Sequence, residues 1–565
     1  MRCVRCLVAP TSTLGLLVLA ATGLGCGGDD DAPPPTGPID ARVDHYDYRI
    51  DLATRRASVV ITATVVTAGD CLTLPFRGDD LGADVTINGA PAGGEVGGGQ
   101  LTLCGDGYPA GTTLTLGASM TVPATTWGPT QVGFSTTTDR AGNDFVYLVS
   151  WVGGCDRHGA CDNRPDQFAR YRFTVDHPEA LTVRCPGDVT EPSPTQTVCA
   201  FEHDGGPTYS TFGIVASSGW TTTDKGLWDG VATTVYDRTG SGVAARIDPV
   251  YHGGMMAFMS STFGPYPYGD ELRLLTGPTY WNGFEHPGNI VLSDALANPL
   301  SGSAYRDPVA HTLDHELAHL WAGDQTTLAG TYDFVWKEAM AEYLSYLHED
   351  SVDPAVALAT ARAWKLFSRG VLAYPVPGER PPLVDYYGDV YGPGPMVLFR
   401  QLEVLSSRAQ VIAALQALLG QARAIGVADV TAALASATGL DLTAYVAAWV
   451  TGEGPPVWPE FTAVFTPGAT AGSPGSLQVD QTNAAATGDK RCRFKIGLEG
   501  ADTAQNVKVV IDTVASGPSQ TLVVPDPGFA VVRTVIDPDA ECLAFPTAST
   551  LVRAPRPQPW VAPAR

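Results

Sequence analysis

The sequence predicts an α+β multidomain protein: an N-terminal β-sheet domain, a mixed α/β domain that carries the chemistry, and a C-terminal β-sandwich. Three observations predict it. At 565 residues the chain exceeds what one core organises, so three or so domains are expected. Residue usage shifts along the chain from Thr/Val/Gly-rich alternation to helical spacing and back. Abundant turn formers (62 Gly, 44 Pro) suit β-rich modules, and 44% apolar against 17% charged residues suits a globular chain.

Residues 1–26 read as an export signal. Arg2 and Arg5 form a basic start, and the apolar run Leu14–Ala21 is too short to cross a bilayer as a helix. It ends in Gly23-Leu24-Gly25-Cys26, which resembles a bacterial lipobox with Gly23 where Leu is usual. Cys26 is therefore the candidate lipidation site, and a lipoprotein of the cell envelope is expected. Ordinary cleavage and secretion is the alternative. Residues 27–40 read as a linker, because GGDDDAPPPTGP has no means of building a core.

The eight cysteines beyond Cys26 agree with export: Cys71, Cys104, Cys155, Cys161, Cys185, Cys199, Cys492 and Cys542 are an even set. Cys492 and Cys542 are isolated and are expected to pair. Sequence alone leaves the other six open, with sequential neighbours as the expectation. The net charge of −24 argues against nucleic acid or an anionic membrane surface as partner. Membrane contact is expected only through the N-terminal anchor.

Residues 41–238 form the first β domain, with alternation in Ala57–Val66 and Tyr171–Val175. Residues 239–455 turn mixed and then helical, with helical spacing in 355–368 and 411–424. Pro455, Pro456 and Pro459 mark the next boundary, and residues 456–565 alternate again, as in Asn506–Asp512.

The middle segment holds His315-Glu316-Leu317-Ala318-His319. Asp307-Pro308 is a helix start and Gly323 a stop, with Val309, Leu313, Leu317 and Leu320 as an apolar stripe. On such a helix His315 and His319 lie one turn apart on one face and can converge on one tetrahedral cation, with Glu316 in reach of a water there. His311 offers a rival pair with His315, but a helix places 311 and 319 about 12 Å apart and Thr312 supplies no base. His311 is thus expected as a neighbour or surface residue. Residues 332–349 read as a second helix, from which Glu338 supplies a third ligand after an 18-residue gap. Two His and one Glu leave one zinc position open, as catalysis requires. Glu342, a turn later, offers a rival ligand or a group behind the ligands, but is expected as a surface charge.

HELAHLWAGD followed by Glu338 resembles the gluzincin zinc metallopeptidases of the aminopeptidase N type, whose pattern is HExxHxWxG(N/D) with an 18-residue gap to a Glu in a WxNEGxAxY-like helix. Trp321, Gly323 and Asp324 fit, while Ala339 replaces Gly. Phe263–Tyr268 is similar to the family's FGPYPY segment, and Gly283–Gly288 to its GxMEN(P/W)G loop. Cys161–Pro165 with His177-Pro178 is similar to PCxDxP…THP, and Tyr391–Gly394 to YxKG. Pro459–Phe461 and Val535–Asp539 fit the family's β-sandwich module. The likeness covers roughly residues 41–550, with no counterpart of the large C-terminal helical domain of many members.

The resemblance implies a thermolysin-like catalytic domain, one Zn2+ per chain on His315, His319 and Glu338, and a peptide substrate. It implies Glu316 as general base, Tyr391 as hydrogen-bond donor to the oxyanion (with Tyr386 and Tyr387 nearby), and Glu285 as anchor for the substrate's α-ammonium. The backbone at Gly283 and Phe284 would align the substrate. Three departures bear on specificity. Phe284 and His286 replace Met and Asn. Pro393 replaces Lys. The family's second amine anchor has no evident counterpart, Ser150 or Trp151 standing in its neighbourhood. A zinc hydrolase without N-terminal specificity, such as an endopeptidase, and a catalytically silent binding protein on the same fold are the competing expectations. The intact Glu316 speaks against the last.

Overall fold

In the computed structural model of the chain, residues 34–125, 133–150, 154–202, 213–298, 303, 305–502 and 504–547 are described. The expected lipidation site Cys26 and its signal lie outside them, as does Trp151.

The alternating segments pair as strands. Pro38–Asp51 and Arg56–Thr67 run antiparallel inside an 11-stranded sheet, with one row of side chains buried and the other facing out. This is what period-2 patterning does when one face meets a core. Tyr46, Tyr48, Tyr171 and Phe173 stack across its centre at 5.1 to 6.1 Å. A four-stranded sheet, order Thr182–Arg184, Gly213–Ser217, Asp144–Val149, Gly133–Thr138, packs alongside.

The boundary expected between residues 238 and 239 falls inside a sheet. Val231–Arg238 pairs antiparallel with Trp220–Trp228 and parallel with Glu271–Gly277, which continues into Asn289–Ser293 and the edge strand Gly283–His286. Both strands that the sequence reading gave to the N-terminal domain thus belong to the five-stranded sheet that carries Glu285. Strand pairing reaches across sequence, which composition does not report.

Helices Pro249–Phe263, Pro308–His319, Phe334–Val352 and Pro354–Phe367 cover this sheet and share one core with it. The helix expected over 411–424 runs instead from Arg408 to Leu418, because Leu419 turns extended and Gly420 takes φ +80°, a left-handed conformation that ends a helix. Beyond it, a four-stranded and a three-stranded sheet pack as the C-terminal sandwich.

Four disulfides join sequential neighbours: Cys71–Cys104, Cys155–Cys161, Cys185–Cys199 and Cys492–Cys542. All lie outside the helical segment. Among the described residues no helix is long and apolar enough to cross a membrane.

Candidate active site

The helix Pro308–His319 starts as its sequence prescribes. The Asp307 carboxylate accepts from the Val309 and Ala310 amides at 3.1 and 3.2 Å, and Pro308 occupies the first turn. Such a cap contributes about 1 kcal/mol. The stripe Val309, Leu313, Leu317 and Leu320 is fully buried. The rest of the helix from His311 onward is buried too, so each polar side chain on it needs a partner. Asp314 finds His252 at 3.1 Å and His348 at 2.7 Å. The helix closes at His319. Trp321, two residues on, donates its indole N–H to the Gly264 carbonyl at 2.9 Å, which ties the Phe263–Tyr268 segment to the site.

His315, His319 and Glu338 come together. Nε2 of the two imidazoles lie 2.9 Å apart, and Oε2 of Glu338 is 3.2 Å from one and 3.4 Å from the other. Three donors at about 2.0–2.1 Å from one tetrahedral zinc ion would be spaced about 3.3 Å from each other, so this triangle fits that ion. Tautomers fit as well. His319 Nδ1 lies 3.1 Å from the Ala322 carbonyl, which only accepts, so Nδ1 carries the proton and Nε2 keeps its lone pair. His315 Nδ1 faces Oε1 of Glu342 at 3.2 Å, an ion-pair distance.

The local potential calls for positive charge. Burial alone would pull His315 down, but Glu338 and Glu342 raise its pKa well above the ordinary value. Burial pushes Glu338 up, yet His319 and His315 hold it well below the usual carboxylate range.

Glu342 was expected as a surface charge and His311 as a neighbour or surface residue. Both are buried, because the helix Phe334–Val352 is enclosed on all sides through Glu349 and offers a charge no solvent there. Besides His315, Glu342 accepts from the Trp364 indole at 2.5 Å. His311 Nδ1 donates to Glu349 at 2.8 Å, and Nε2 to Glu342 at 3.4 Å. Burial opposes charge on His311, but Glu342 and Glu349 outweigh it and raise its pKa to about 10. The two carboxylates thus form a layer behind the metal triangle.

Glu316 faces the cleft beside the triangle; its ligand atom and those of both histidines lie within 4.8 Å of one another. Burial pushes its carboxyl well above the usual range, which suits a group that takes and returns a proton. Gly283 lies against it: a Cβ there would sit 2.6 Å from Glu316 Oε1, so a side chain at this position would push the Glu316 carboxylate aside. Tyr391 donates its hydroxyl to Glu338 Oε2 at 2.7 Å and is paired with the Tyr387 hydroxyl.

Gly283–His286 is the edge of its sheet, with Phe284 opposite Val291 and Glu285 opposite Ile290. An edge strand presents unpaired N–H and C=O groups on which an extended peptide can lie. Phe284 packs edge-on to Tyr147 at 5.3 Å. His286 is buried, and burial lowers its pKa to about 4, so it is neutral at neutral pH. Ser150, Trp281 and Tyr387 complete the lining of the cleft these residues enclose.

Sequence reasoning missed Lys337. Its ammonium pairs with Glu285 inside the cleft, both side chains being buried. The signal was present: in Val335-Trp-Lys-Glu338, Lys337 stands where the resembling pattern has Asn. Burial pushes Glu285 up, but Lys337 outweighs it and holds the carboxyl below the usual range.

A helix bearing His-Glu-x-x-His, met by a glutamate from the next helix under the edge of a sheet, is the architecture of a metallopeptidase. Residues 252–373 match the Peptidase family M1 domain. Human (Homo sapiens) aminopeptidase N is 25% identical over 213 residues, 34% of this chain and 21% of that protein. The tricorn protease-interacting factor F2 of Thermoplasma acidophilum is 34% identical over 98 residues, 17% and 12% of the two chains. The crystal structure of Legionella pneumophila aminopeptidase A in complex with aspartic acid superposes with a TM-score of 0.67 at 14% identity, covering 91% of this chain and 60% of that one. The segment that carries the candidate site is thus similar to the peptidase family M1 domain. Its matches span only about a fifth and an eighth of the two sequence relatives.

Proposed function

We propose that this chain is an exported zinc-dependent aminopeptidase that hydrolyses the first peptide bond of short peptides. The observation that carries the reading is the triangle of His315, His319 and Glu338 donor atoms with Glu316 beside it. Zinc bound there supplies Lewis-acid polarisation of a water and of the scissile carbonyl. Glu316 takes the proton of the attacking water at its carboxylate and passes it to the leaving amine nitrogen. The Tyr391 hydroxyl, kept neutral by burial and by Glu338, donates to the carbonyl oxygen as negative charge gathers on it. The edge strand at Gly283 and Phe284 holds the substrate backbone, and Glu285 takes its terminal ammonium. The four disulfides support an oxidising compartment, and the lipobox-like end at Cys26 supports a lipid anchor.

The second reading, a zinc hydrolase without N-terminal specificity, is favoured by one observation: Glu285 is already paired with Lys337. Hydrolysis of aminoacyl anilides with free and N-acetylated amines separates the two. The first reading expects cleavage of the free amine alone; equal rates on both would sink it.

A further inference from the structure

The Lys337 ammonium lies where a substrate's terminal ammonium would have to bind, on the carboxylate of Glu285. One buried carboxylate does not balance two ammoniums, so an arriving amino terminus must displace Lys337 or fail to bind. A destination for it exists. Asp324 is fully buried, and neither of its carboxylate oxygens has a hydrogen-bond partner among the described residues. Burial and Glu285 push its carboxyl well above the usual range while Lys337 pulls it down, so an ammonium arriving there would favour the ionised form and be stabilised by it. The lysine stem already runs past this point: a Cβ on Gly323 would meet Lys337 Cε at 2.5 Å, and Asp324 is the next residue. Asp324 is also among the charges that act on Lys337. Gly323 has φ +150°, so glycine is favoured at the very position where a side chain would block the stem.

We propose that Lys337 is the specificity-determining residue of the amine subsite: it occupies Glu285 in the resting protein and passes to Asp324 when a substrate's terminal ammonium takes its place. The inference rests on the aminopeptidase reading. Two carboxylates and two ammoniums then balance in the occupied cleft. Affinity for a free amine is reduced by the work of moving Lys337, and a ligand without an amine gains nothing from the exchange.

The test uses the full chain and the variants K337N, D324N and K337N/D324N, zinc-loaded for kinetics and chelator-treated for calorimetry. kcat and KM are measured separately on leucyl p-nitroanilide, and calorimetry follows leucinamide binding to the chelator-treated protein. K337N is expected to lower KM and tighten leucinamide by tenfold or more. D324N is expected to raise KM several-fold alone and to have no effect in the K337N background. Unchanged leucinamide affinity in K337N overturns the proposal. Equal effects of D324N in both backgrounds overturn the part played by Asp324, since a structural residue would act in both. A measurement without variants guards against misfolding. The chain has six lysines, so selective 15N labelling resolves their ammonium signals, and one buried signal should shift when leucinamide binds. No shift under saturation overturns the displacement. If N-acetyl leucyl anilide is cleaved as fast as the free amine, the aminopeptidase reading fails, while the leucinamide arm still decides whether Lys337 competes for Glu285.

Discussion

Glu338 and Glu285 lie in one cleft, both buried and both beside positive charge, yet the charge has different origins. Around Glu338 the Nε2 atoms of two imidazoles converge, with His319 held from behind by the Ala322 carbonyl, and the proposed zinc would complete the set. At Glu285 the chain supplies the cation itself through Lys337. The first carboxylate is organised to receive an ion. The charge of the second is already balanced by a lysine of the same chain.

The comparison breaks first at Glu338. Glu338→Ala should lose zinc and all turnover, whereas Glu285→Ala should keep zinc and mainly raise KM for free-amine substrates, as metal analysis and steady-state kinetics would show. Zinc loss in both would mean that the two carboxylates form one site. Next comes the base. Glu316→Gln should retain zinc and lower kcat by about 10²–10⁴, the range for a positioned acid–base group. Retained turnover would remove Glu316 from that role.

These residues were legible because their chemistry is local. His-Glu-x-x-His is a helix pattern, Asp307-Pro308 is a start signal, and Glu338 sits on the next periodic helix. The strands of the first domain were legible for the same reason, through alternation. What could not be read depends on contacts between distant segments. Val231–Arg238 joins the second sheet only because Glu271–Gly277 pairs with it. Glu342 looked like a solvated charge because a sequence does not show that its helix is enclosed on every side. The Lys337–Glu285 pair closes across 52 residues, so the local signal, a lysine where the resembling pattern has Asn, does not name its partner.

The layer behind the metal ligands sharpens the comparison further. Glu342→Gln should weaken zinc affinity by about 10–100-fold, the usual scale for a group that orients a ligand, with little change at the amine subsite. A competitive zinc titration would measure it, and unchanged affinity would make Glu342 a packing residue. The smallest effect concerns His311. Its folded pKa of about 10 lies above the ordinary value of about 6.5, so its charge stabilises the fold fully below pH 6.5 and is lost as pH rises through 10. Melting curves should therefore fall less steeply across that window in His311→Gln than in the parent. Parallel curves would show that His311 is not charged in the folded state.

The helix Pro308–His319 has no solvent-facing side along its ligand-bearing turns. Amides so enclosed exchange with deuterium only when the whole domain opens, so the ion-binding turns belong to its slowest-exchanging part. Occupancy and global unfolding are then linked. Each tenfold of free zinc above its dissociation constant adds about 1.4 kcal/mol to the opening energy, and deuterium uptake across the core reports metal status at a distance from the metal.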